Sequence, residues 1–263
     1  MQIITLTTDF GTADVYAGVM KGVILGICPS AIIVDVTHGI RPGNILDGAF
    51  ALAAAVPYFP RGTIHVAVVD PGVGGDRAGL AVRTAGAVFV GPDNGLLDLA
   101  LRDQRRIQAR RLENPGFWLD SVSRTFHGRD IFAPVAAHLA RGVSLNSLGP
   151  GCSRRERLTW PEPERRADRY IGQVIALDQF GNAITNLPAA WFHKLAPDAL
   201  RVRAGRRGGM PFVSHYQALP HGTPLTLIGS AGYLEVAVNG DSAARLLGLR
   251  QGSPVVVRVI REQ

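Results

Sequence analysis

Short apolar runs rich in β-branched residues alternate with segments of helical spacing through the first half of the chain. IITLTT (residues 3–8) reads as a strand closed by Asp9. DVYAGVMKGVILGI then sets Val15, Val19, Val23 and Ile27 four apart, which predicts a helix with those residues inward and Asp14 as its cap. The unit recurs. AIIVDV precedes NILDGAFALAAAV, and TIHVAVVD follows. Strands that are apolar throughout, separated by helices, predict a mostly parallel sheet covered on both faces. AVFVGPDNGLLDLAL adds a strand, a turn and a short helix, and RDIFAPVAAHLARG, reached through RTFHG, adds a further helix. Ligands on such sheets gather at the carboxyl ends of the strands, where Asp9, Asp35 and Asp70 are expected.

The pattern changes near residue 153. SRRERLTWPEPERRAD, residues 153–168, is dense in charge and proline and reads as a linker. Beyond it YIGQVIAL, PLTLIGS, YLEVAVN and PVVVRVI are short strands separated by glycine-rich turns, the spacing of a small barrel or sandwich. The fold class is therefore α/β: an N-terminal mostly parallel α/β sandwich over residues 1–152, a linker over 153–168, and a smaller C-terminal β domain over 169–263.

Composition narrows the function. The chain has 263 residues, 46% hydrophobic and 19% charged, which suits a folded protein. No run approaches the roughly 18 apolar residues of a membrane span. The amino terminus lacks the organisation of a signal peptide, so a cytoplasmic location and no membrane partner are expected. Cys28 and Cys152 are too few for a disulfide framework or a zinc cluster. The net charge of +7 raises nucleic-acid binding, but the arginines are scattered and no aromatic residues interleave with them as a base-stacking platform requires.

VVDPGVGGDR (68–77) carries the sharpest candidate chemistry. Its glycines suggest a phosphate cradle, yet the Lys-Ser/Thr ending of a P-loop is missing and Asp70 would repel an anion. A plain turn is the competing reading. RTFHGRD places His127 beside Gly128 at a helix start, and DQFGNAITN (178–186) offers Asp178, Phe180 and Asn182, an aromatic to stack on a ring and an amide to read a base edge. IGSAGYLEVAVNG adds Ser230, Tyr233 and Glu235 as a pocket rim or a hairpin. No histidine pair has zinc spacing with an acid partner, so no metal is expected.

Taken in order, TTDFGTADVYAGVMKGVI, VDPGVGGDR, GPDNGLL, RTFHGRDIFAP, DQFGNAITN and GSAGYLEVAVNG resemble the S-adenosyl-L-methionine hydrolases, also called SAM hydroxide adenosyltransferases, relatives of the fluorinating and chlorinating enzymes. The resemblance runs the length of the chain. It implies an α/β domain joined to a β-barrel, a homotrimer with its site where the first domain of one subunit meets the second domain of its neighbour, and hydrolysis of S-adenosyl-L-methionine to adenosine and L-methionine without a cofactor. It places the catalytic Asp, Arg and His on Asp70, Arg77 and His127. It assigns Asp9 to the ribose hydroxyls, Phe180 and Asn182 to adenine, Asp178 and Ser230 to the amino-acid end, and Tyr233 and Glu235 to the pocket lining. The halogenating relatives carry Tyr at the position of Asp70 and Ser at that of Gly128, which sets this chain on the water-using side. Whether Asp70 is a general base or orients the water stays open here. Halide transfer, a non-catalytic S-adenosyl-L-methionine sensor and a nucleic-acid binder are the rival functions.

Overall fold

The computed structural model describes residues 2–260 and divides into two compact units, residues 1–159 and 160–263. In the first unit β1 (Ile3–Thr8), α1 (Tyr16–Ile27), β2 (Ile32–Thr37), α2 (Ile45–Ala55) and β3 (Ile64–Val68) follow the expected alternation. β4 (Gly79–Arg83), β5 (Val88–Pro92), α3 (Asp98–Leu101), β6 (Gln108–Arg111) and α4 (Ala133–Ala140) complete it. The sheet runs β2-β1-β3-β5-β4-β6. Its first four strands are mutually parallel, while β4 pairs antiparallel with β5 and β6.

Alternation along the central strands builds two cores. Ile4, Leu6, Val66 and Val68 pack with Met20, Ile24, Phe132 and Val135 from one helical layer. Ala67, Val69 and Phe89 face the other way, onto Leu52, Leu96 and Leu97. Strands buried on both faces explain the near-continuous apolar runs in the sequence. β4 and β6 had no such signal, because GLAVR is short and QARR is a largely exposed edge.

Helix α1 buries a different face from the one its valines suggested. Ala17, Met20 and Ile24 point inward, with Val23 and Ile27 packed partly against the same core, while Val15 and Val19 are 72% and 36% exposed. Steps of four residues advance 400° around a helix, so a run of them drifts about 40° per step off one face. The alternating three- and four-residue steps of 17, 20 and 24 hold the face. Asp14 does not cap this helix, whose N-cap is Val15 with no side-chain bond. Asp35 lies within β2 and is tied to Lys21 at 2.5 Å and His38 at 3.1 Å.

The second unit is antiparallel: β7 (Glu164–Arg165), β8 (Arg169–Leu177), β9 (Ala183–Pro188), β10 (Leu200–Ala204), β11 (Arg207–Pro211), β12 (Pro224–Ile228), β13 (Tyr233–Val238) and β14 (Pro254–Val259), with α5 (Ala243–Leu247) between the last two. The order is β11-β10-β14-β8-β9-β13-β12, with β7 beside β8. Two bonds bring the ends of that row together. Val213 N donates to Thr226 O at 2.8 Å, and Thr226 Oγ1 donates to Pro211 O at 3.0 Å, so the sheet nearly closes into a barrel. Inside lie Val174, Leu187, Val202, Met210, Leu234, Val236, Val255 and Val257. The charged segment after residue 153 is anchored at both ends. Arg157 pairs with Asp98 at 2.7 Å in the first unit, and Pro161 O accepts from Asn186 in the second.

Candidate active site

β3 delivers Asp70 to the carboxyl edge of the sheet. Just before it, the Val69 carbonyl accepts from Asn94 Nδ2 at 2.9 Å, so the GPDNG turn after β5 pins the strand end. The loop from Asp70 then turns back on itself, with Val73 N donating to Asp70 O at 3.2 Å and Gly75 N to Gly72 O at 3.1 Å. Gly74 adopts φ +77°, and a Cβ there would run into the Arg124 carbonyl. Only glycine lets this loop lie against the segment that carries His127.

The loop returns Arg77 to the carboxylate it left. Arg77 Nε donates to Asp70 Oδ1 at 3.0 Å and Nη2 reaches Oδ2, a two-pronged grip with side chains only 11% and 5% exposed. The same Nη2 lies 2.7 Å from His127 Nδ1. A guanidinium has no acceptor, so Nδ1 must be the unprotonated nitrogen and the neutral ring carries its hydrogen on Nε2. Burial pushes the His127 pKa below its ordinary value, and the Arg77 charge pushes the same way. Asp70, Asp130 and a hydrogen bond with the Ser123 main chain pull against them. Arg77 also stacks over the Phe132 ring, 5.4 Å from its centroid.

Asp70 and His127 form part of the wall of a cavity of about 480 Å³ that also exposes Asp9, Asp14, Phe10, Tyr16, Phe126 and Gly128. Arg77 does not line it. The guanidinium sits behind the other two groups and borders a second cavity of about 250 Å³, shared with His127 and Trp118. Asp9 Oδ2 accepts from Gly43 N at 2.8 Å, which leaves its other oxygen for a ligand. Phe10, Tyr16 and Phe126 form an aromatic group with centroids 5.1–5.8 Å apart. These three rings lie inside the TTDFGTADVYAG and RTFHG runs, where nothing local marks them as one group. Gly128 is tightly surrounded. A Cβ would meet Phe126 at 3.2 Å, Met20 Sδ at 3.3 Å and Phe10 at 3.4 Å.

In the second unit the Asp178 carboxylate folds its own loop. Oδ1 accepts from Phe180 N at 2.9 Å and Asn182 N at 2.8 Å, and Oδ2 accepts from Asn182 Nδ2 at 2.9 Å. Phe180 is left 70% exposed, an apolar ring held out by a rigid turn. Glu235 on β13 is buried and accepts from Tyr216 Oη at 2.6 Å. Burial raises its pKa, and the Asp178 charge adds to the rise against the Tyr216 bond. Tyr216 had no signal in the sequence, since it comes from a short turn between β11 and β12. Ser230 is exposed on the β12–β13 turn, and Tyr233 packs 6.4 Å from Trp160. Among the described residues no group of three or more His, Cys, Asp or Glu is placed to hold a metal, and no helix is long and apolar enough to cross a membrane.

A carboxylate, an imidazole and an aromatic rim at the carboxyl edge of a parallel sheet, in a chain that continues into an antiparallel barrel, define a two-domain α/β enzyme. The chain belongs to the SAM hydroxide adenosyltransferase family: the family's N-terminal domain matches residues 4–149 and its C-terminal domain residues 172–256. It is 40% identical to an (R)-S-adenosyl-L-methionine hydrolase of Salinispora arenicola over 97% of each chain. One from Thermus thermophilus is 40% identical, covering 97% of this chain and 99% of the relative. A fluorinase of Nocardia brasiliensis is more distant, 28% identical over 98% and 97% of the two chains. The solved structure of an uncharacterized conserved protein from Thermotoga maritima superposes with a TM-score of 0.92 at 37% identity, covering 99% of this chain and 100% of that one.

Proposed function

We propose that this protein hydrolyses (R)-S-adenosyl-L-methionine to adenosine and L-methionine, with Asp70 and His127 at the reacting water and Arg77 behind them. The water oxygen bonds to ribose C5′ as the C5′–S bond breaks. The electron pair goes to sulfur, the sulfonium leaves as a neutral thioether, and one proton passes to solvent. Because the leaving group is already cationic, no acid is needed. What remains for the protein is to hold the water in line with the C–S bond.

The single observation that carries this reading is the Asp70–Arg77–His127 contact on the wall of the Asp9 cavity. It also favours one of the two roles for Asp70. A proton on Asp70 would remove the charge that strengthens both of its bonds to Arg77, whereas as a carboxylate each oxygen keeps a lone pair to accept from water. Asp70 therefore orients the water, and Arg77 locks carboxylate and imidazole together from behind. The packing at Gly128 agrees. A serine hydroxyl, the feature implied for the halogenating relatives, would need its neighbours to give by a few tenths of an ångström.

Asp9 takes the ribose hydroxyls in this reading. Phe180, Asn182, Asp178, Ser230, Tyr233 and Glu235 take the adenine and amino-acid ends from a neighbouring subunit of a homotrimer. Incubation with each sulfonium diastereomer, followed by chromatography of adenosine and methionine, tests the reaction. The expected result is equimolar release from the R form, also with chloride present. Release no faster than by Asp70→Ala would reject it.

A further inference from the structure

His127 caps the start of an unusual segment. The chain from Gly128 to Phe132 is a π turn, a form that often marks functional positions in helices. Inside it lies Asp130, a carboxylate with no solvent exposure. It is bound at 2.5 Å by Arg129 Nε, whose side chain reaches the surface. An ion pair between neighbours does not by itself explain why a carboxylate is buried here, because burial costs the ions their hydration.

Arg129 Nη2 also reaches Oδ2 at 3.1 Å, and further bonds of Asp130 run to the loop that leads into His127. Its Oδ2 accepts from Ser123 N at 2.8 Å, its carbonyl accepts from Leu119 N at 2.9 Å, and its own N–H donates to Phe126 O at 3.1 Å. Ser123 passes this grip onward in two ways. Its Oγ accepts from Phe126 N at 3.0 Å, the residue before His127, and its main chain lies beside the imidazole, where it favours the protonated ring. The ring is thus held on Nδ1 by Arg77, and the Phe126 peptide from which His127 follows is fixed by Ser123 and Asp130.

We propose that Asp130 is a positioning residue for the reaction, fixing the orientation and tautomer of His127 through Ser123 and the main chain of Phe126. The inference rests on His127 acting at the water as described above. Asp130 lies outside both cavities and touches no substrate. The charged groups that face the imidazole are Arg77, Asp70 and Asp130, so losing the Asp130 charge removes one of the two anions that favour its protonated form.

Replacing Asp130 tests this. Asp130→Asn is expected to lower kcat about 10- to 100-fold with KM changed less than about twofold, the pattern of misplaced chemistry without lost binding. In nitrogen-15 spectra of the histidine side chains, the single Nε2–H form of His127 is expected to become a mixture. An unchanged kcat and an unchanged His127 signal overturn the proposal. Arg129→Met removes the ion pair but leaves Ser123 on Asp130, and is expected to keep the tautomer. A loss equal to that in Asp130→Asn would reduce Asp130 to its ion pair and also overturn it.

If Asp130→Asn does not fold, amide exchange of the wild-type protein decides. The Ser123 N–H should exchange at least about tenfold more slowly than that of Val122, and equal rates overturn the proposal. The spectra and the exchange rates need no substrate. A wild-type protein without hydrolase activity would therefore remove the proposed reaction while leaving the Asp130–His127 link to be judged on its own readouts.

Discussion

At the residue scale, the arginine in this site cannot be exchanged for another cation. Arg77 serves both oxygens of Asp70 and one nitrogen of His127 with a single planar group. A lysine ammonium at the end of a flexible stem cannot span that fork. Arg77→Lys is expected to lower kcat by about 10²- to 10³-fold, as for loss of a preorganised donor, in the same adenosine-release assay. His65 makes a second residue-level prediction, unrelated to the reaction. Buried on β3, it bonds Thr5 Oγ1 at 2.8 Å and stacks on Phe89, and burial lowers its pKa to about 4. Its folded pKa lies below the ordinary value of about 6.5, so the unfolded chain binds the extra proton and stability falls as pH drops from about 6.5 towards 4. Urea unfolding at pH 7.5 and 4.5 should show about 2 kcal/mol of acid sensitivity that His65→Gln lacks. An equal loss in both proteins would refute the assignment.

At the element scale, α1 shows how a regular pattern misleads. Val15, Val19, Val23 and Ile27 look like one stripe, yet the fully buried side is Ala17, Met20 and Ile24, with Val23 and Ile27 packed only partly against it. Ile24→Ala is expected to cost about 2–5 kcal/mol by opening a cavity, and Val19→Ala no more than about 0.5 kcal/mol, both read from denaturant midpoints. The reverse order would restore the valine face. The other central elements were legible because their burial on both sides forces apolar composition, as in IHVAV of β3, fully buried along its length. Edge strands such as β6 carry no such constraint. The π turn at Gly128–Phe132 was read as ordinary helix, since nothing in GRDIF distinguishes the two hydrogen-bond patterns locally.

At the scale of the whole molecule, the proposed site residues fall into two groups, one in each unit. Asp9, Asp70, Arg77 and His127 belong to the sandwich; Asp178, Phe180, Asn182, Ser230, Tyr233 and Glu235 belong to the barrel. The proposed homotrimer gives the groups a meeting place, and it would cover apolar surface such as Phe180 and the outer face of α1. Light scattering at assay concentration should give three times the chain mass. A monomer with full hydrolase activity would sink the shared site and leave the chemistry standing.

By itself the sequence determined the layered α/β unit, the antiparallel unit after it, and which residues are proposed to meet at the water. Burial dictates composition, and a reaction with few chemical options leaves its residues in recognisable runs. Tertiary structure decided the rest. That Arg77 stands behind Asp70 instead of beside the cavity, that His127 must carry its hydrogen on Nε2, and that Asp130 holds the loop at Ser123 are facts of distance between segments far apart in the chain. Such distances are set by how strands and loops pack, and no local pattern records them.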